Sequence, residues 1–75
     1  MSPRDIQIKL TQTVLSAYGT NNEVPMADQA RAAKKAWGEV MGGQTETVKD
    51  LLKPYYNHLA ETPVTAAKLR ALCRD

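Results

Sequence analysis

The chain has 75 residues, 43% of them hydrophobic and 24% charged, with a formal net charge of +2. That length holds one domain, and the balance is that of a folded globular chain, not a disordered one or a polycation. The single Cys and single His exclude an intrachain disulfide and a His/Cys structural zinc site, so no metal or cofactor is expected.

Ser2-Pro3-Arg4-Asp5 opens the first element with an N-cap, a proline at the first helical position and a carboxylate at N3. Ile6, Leu10, Val14 and Ala17 follow at helical spacing, Leu15 and Tyr18 widen the stripe, and Gly19 is placed to end it. A helix over residues 3–18 is predicted. Ile6, Ile8 and Leu10 also alternate with Gln7 and Lys9, the period of a strand, but a strand here needs a partner supplied by a second copy.

Thr20-Asn21-Asn22-Glu23 reads as a turn, and a second helix is predicted over 25–41. Its apolar face is Met26, Ala30, Ala33, Trp37, Val40 and Met41. Gly38 lies within it at a cost of about 1 kcal/mol relative to Ala; it permits close backbone approach beside Trp37 or softens the last turn. Gly42-Gly43 stops this helix. A third helix is predicted over 46–59, capped by Thr45 or, with Asp50 completing a capping box, by Thr47. Its apolar residues are Val48, Leu51, Leu52, Tyr55, Tyr56 and Leu59. Pro54 lies inside the pattern, so a kink or break is expected there. Thr62-Pro63 reads as the cap and first position of a fourth helix over 63–73, with Val64, Ala67, Leu69 and Leu72 or Cys73 apolar. The short connection makes the third and fourth helices expected neighbours. The fold class is therefore all-α: a single-domain compact bundle of four short helices, or five if Pro54 breaks the third.

No stretch approaches the ~20 apolar residues needed to cross a membrane, and the N-terminus lacks the basic-then-apolar pattern of a signal peptide. A complete small cytoplasmic protein, with no membrane partner, is the expectation. No residue set combines a nucleophile, a base and an orienting group, so no enzyme is expected. Tyr55, Tyr56 and His58 stand together without a paired carboxylate; on a helix the two tyrosines diverge by about 100°, one towards the core and one towards the rim.

Function is then expected through the surface. Met26, Trp37, Met41 and Tyr56 are the candidates for a protein interface, the chain acting as a small regulator, adaptor or inhibitor of a larger protein. Lys34 lies one turn before Trp37, in reach of its ring. Two basic clusters, Arg31-Lys34-Lys35 and Lys68-Arg70 with Arg74, are candidates for nucleic acid or an acidic partner, against the ordinary reading of solvated helix faces. Two DNA-binding arrangements form the alternative. If residues 4–10 pair as strands in a dimer, with Gln7, Lys9 and Thr11 outward, residues 4–41 resemble the ribbon-helix-helix repressors. If residues 46–73 form a helix-turn-helix, Thr65, Lys68 and Arg70 occupy the reading helix. A core this small also suggests a homodimer, sharing Ile8, Met26, Met41 and Tyr56.

Overall fold

The computed structural model describes residues 2–74, which form four helices: α1 (Pro3–Ser16), α2 (Met26–Met41), α3 (Glu46–Glu61) and α4 (Ala66–Leu72). Among the described residues there is no strand, so residues 4–11 are helical and the dimeric ribbon is not the arrangement adopted. The capping box at the chain start explains this. Ser2 Oγ accepts from the Asp5 amide, Asp5 Oδ2 accepts from the Ser2 amide, and Pro3 has no amide to satisfy. Ile6, Leu10, Thr11 and Val14 then fall on one buried stripe. The helix ends at Ser16, two residues short of expectation, and Gly19 takes a φ of 59° in the turn that follows.

α1 is the hub. It packs against each of the other three helices, while α2 and α3 also pack on one another. The buried face of α2 is Gln29, Ala33, Ala36, Val40 and Met41, turned away from the predicted stripe so that Met26, Ala30 and Trp37 are only half-buried. Small Ala33 and Ala36, both fully buried, form the part of α2 within the core together with Val40 and Met41.

Thr45, not Thr47, caps α3: its hydroxyl accepts from the Val48 amide. α3 runs unbroken through Pro54, so among the described residues there is no fifth helix. Proline removes the donor to the Asp50 carbonyl, but Asp50 and Pro54 are both exposed, so the unpaired oxygen is not forced into the core. Leu51, predicted in the buried face, is 61% exposed, because Leu52 and Leu59 take the centre of the stripe.

α4 starts later than Thr62-Pro63 suggested. Residues 62–65 are extended, and Thr65 is the N-cap, its hydroxyl accepting from the Lys68 amide. Consequently α4 is carried across to α1 and, among the described residues, does not pack against α3. A seven-residue helix is too short to persist alone, and the loop before α2 supplies what it lacks. The Asn22 carbonyl accepts from the Ala66 amide at 2.7 Å and Asn22 Oδ1 from the Ala67 amide at 3.2 Å. With the Thr65 hydroxyl, these contacts satisfy three of the orphan amides at its start, those of Ala66, Ala67 and Lys68.

Two buried side chains hold the 62–65 segment in place. Tyr18 Oη donates to the Val64 carbonyl at 2.7 Å. Gln29, 1% exposed, donates through Nε2 to the carbonyls of Leu59 (2.8 Å) and Thr62 (2.6 Å) and accepts at Oε1 from the Val64 amide (3.1 Å). The Leu59 carbonyl would ordinarily meet the amide four residues on, but that residue is Pro63, which has none. Gln29 replaces the missing donor.

Candidate functional site

The sequence candidates separate into three surfaces. On the flank where α2 meets α3, the Trp37 and Tyr56 rings lie with centroids 4.8 Å apart and planes tilted by 43°. This offset geometry is favoured by ring quadrupoles. Lys53 Nζ covers both, 5.1 Å from the Trp37 ring and 4.9 Å from the Tyr56 ring. The cation on Trp37 thus comes from α3, not from Lys34 on its own helix. Beside the rings is an open depression of about 210 Å³ lined by Trp37, Gly38, Met41, Gly42 and Lys49. Lys34 is exposed one helical turn before Trp37 and Gly38, on the same flank. Lys49 pairs with Glu46 at 3.6 Å.

Met41 does not belong to a free interface. It is 2% exposed and serves the core, only its edge reaching the floor of the depression. The reason is the turn of α2 that also buries Ala36 and Gln29. Met26 is half-buried at the start of α2, away from the ring pair.

The basic cluster on α2 divides. Arg31 pairs with Asp28 at 2.8 Å, both exposed. Arg31 and Lys35 line an open groove of about 470 Å³ floored by Ala17, Val24, Pro25 and Ala32, on the α1 flank. Lys34 is not among the residues that line this groove. Lys68 and Arg70 are exposed on α4, which among the described residues does not pack against α2. Helix packing therefore does not join the two basic clusters, and because α4 does not pack on α3, a helix-turn-helix unit over 46–73 is not formed.

The two tyrosines diverge as the helical geometry requires, but both are half-buried. Tyr56 faces α2. Tyr55 faces α1, where Thr11 Oγ1 donates its one proton to the Gln7 carbonyl at 2.8 Å, leaving Tyr55 Oη to donate to Thr11. Burial pushes the Tyr55 phenol above its ordinary value, against the opposing effects of the Thr11 hydrogen bond and Arg4. Burial likewise pushes the Cys73 thiol up, with Arg4 opposing, so its nucleophilic thiolate is disfavoured. Arg4 itself donates to the Arg74 carbonyl at 2.7 Å, tying the two chain ends together.

Among the described residues no group of three or more His, Cys, Asp or Glu side chains is placed to hold a metal ion, and no helix is long and apolar enough to cross a membrane. Lys53, Lys49 and Gly38 complete the α2/α3 surface. The two lysines escaped the sequence reading, although Lys53 stands three residues before Tyr56, a spacing that places neighbours on one helix flank. No family model, curated protein or solved structure matches this chain.

Proposed function

We propose that this chain is a non-enzymatic binding module that docks on a larger protein through the α2/α3 face centred on Trp37 and Tyr56. The observation that carries this reading is the tilted ring pair of Trp37 and Tyr56 under Lys53. Aromatic side chains already fixed by each other and by a cation lose little entropy on binding, and Trp and Tyr are the residues on which interface energy concentrates. A regulator, adaptor or inhibitor acting in the cytoplasm is the form this takes; the free thiol of Cys73 supports a reducing compartment. A homodimer has less support. Met41 lies in the core, and the accessible surface of 4668 Å² is close to the roughly 4,600 Å² that surface scaling gives a folded monomer of this mass.

The test is site-specific photo-crosslinking in the native host. A photoreactive residue is placed at Lys34, Lys49 or Lys68 and each product is treated with nuclease. Nuclease-resistant protein adducts from positions 34 and 49, and not from 68, are the expected result. Adducts to nucleic acid alone, or none from the α2/α3 face, would overturn the reading.

A further inference from the structure

We infer that the α2/α3 face recognises an acidic polypeptide segment, which lays its backbone close over Gly38 and sets carboxylates against Lys34, Lys49 and Lys53. The inference rests on the proposed binding role of this face and names the chemistry of its partner.

Gly38 is the first reason. It is exposed in the interior of α2, where glycine weakens a helix, and a Cβ built on it meets nothing within 4 Å. Its φ is not positive and no atom of the chain crowds it, so neither the turn geometry nor the packing of the monomer requires a glycine there. What the missing side chain does is keep open the depression between Trp37, Met41, Gly42 and Lys49. Glycine at such a place admits a second backbone.

Charge is the second reason. Lys34 and Lys53 have no carboxylate within ion-pair distance among the described residues. Lys53 is already held over two rings, so its ammonium is positioned before any partner arrives. Glu46, at the edge of the face, is occupied by Lys49. On the other flank Arg31 is balanced by Asp28, with Glu23 also lining that groove, and Lys35 stands there, among the described residues, without aromatic rings beside it. The α2/α3 flank is thus a surface where lysines, aromatic rings and a backbone notch coincide. A polypeptide carrying carboxylates and apolar side chains matches all three.

The test uses the full chain, labelled with ¹⁵N, titrated with a short Glu/Leu peptide in amphipathic helical register. A Lys/Leu peptide and an oligo-dT serve as controls. The acidic peptide is expected to shift resonances of Lys34, Trp37, Gly38, Lys49, Lys53 and Tyr56, to change Trp37 fluorescence, and to bind more weakly as salt rises. K53Q and G38A are each expected to weaken it about fivefold or more. G38A should also melt no lower than the parent, since alanine favours the helix; loss of binding there cannot be misfolding. No binding, shifts confined to other surfaces, or affinity indifferent to both variants would overturn the inference. Tighter binding of oligo-dT at the same residues would overturn it in favour of nucleic acid. If crosslinks from positions 34 and 49 capture a protein while the acidic peptide fails, this inference alone falls and the binding role stands.

Discussion

Replacing Gln29 tests the polar hub that organises half of the fold. Its carboxamide serves the Leu59 and Thr62 carbonyls and the Val64 amide, all at 2.6–3.1 Å. Gln29→Met keeps most of the volume and removes all three bonds. Water can reach the part-buried Thr62 contact, but the bonds to Leu59 and Val64 are buried, and each orphaned group costs about 1–3 kcal/mol. The variant should therefore lose roughly 2–6 kcal/mol, out of a total stability of roughly 4–11 kcal/mol for a chain of this length. Gln29→Ala adds a cavity and should lose about 1 kcal/mol more. Urea unfolding followed by far-ultraviolet circular dichroism measures both. A Gln29→Met loss below about 0.5 kcal/mol would refute the reasoning, because it would mean that water already satisfies these backbone groups.

Pro54→Ala restores an amide for the Asp50 carbonyl in a helix that already runs through this position, so it should stabilise the protein by about 1–3 kcal/mol; a lower urea midpoint would contradict this. Tyr18→Phe leaves the Val64 carbonyl without its phenol donor and should cost about 1–2 kcal/mol in the same assay. Burial raises the Tyr18 and Tyr55 phenols above 10.0 in the folded state, so the stability they contribute is intact below pH 10 and lost as pH climbs through the folded values; from its lower starting stability, Tyr18→Phe should lose less with rising pH above 10 than the parent does. Sedimentation equilibrium of the isolated protein should give a mass near 8.3 kDa at every concentration, and a rising mass would restore the homodimer that the apolar composition suggested.

The helices were legible because their signals are local. Ser2-Pro3-Asp5, Gly19 and Gly42-Gly43 act within one turn, and the stripe Ile6-Leu10-Val14 has one phase that buries it. What escaped is set by long-range partners. Gln29 and Thr11 are polar and so dropped out of the hydrophobic pattern, although each stands four residues from a buried apolar neighbour or acceptor. Without Gln29 in the count, the face of α2 was turned towards Met26 and Trp37. Thr62-Pro63 looks like a helix start because proline suits that position, yet the next residues are drawn straight by bonds to Tyr18 and Gln29. The ring pair was legible as two separate aromatics. That Lys53 would cover both depended on the α2/α3 packing, which no spacing within one helix encodes.

The chain solves its size problem asymmetrically. Its single cysteine cannot form an intrachain disulfide, and α4 is too short to stand alone, so the α4 side is fastened by side chains reaching backbone groups: Asn22 to the first turn of α4, Tyr18 and Gln29 to the segment before it, Arg4 to the carbonyl of Arg74. Every buried side-chain polar atom described finds a partner. The α2/α3 flank is treated in the opposite way. There a helix-weakening glycine is retained without any contact that requires it, Lys34 and Lys53 stand without a paired carboxylate among the described residues, and aromatic rings are left half-covered. Local rules of stability are obeyed across the latched side and broken together on one face, and sites where several such rules fail at once are where a protein has been shaped for something other than its own folding.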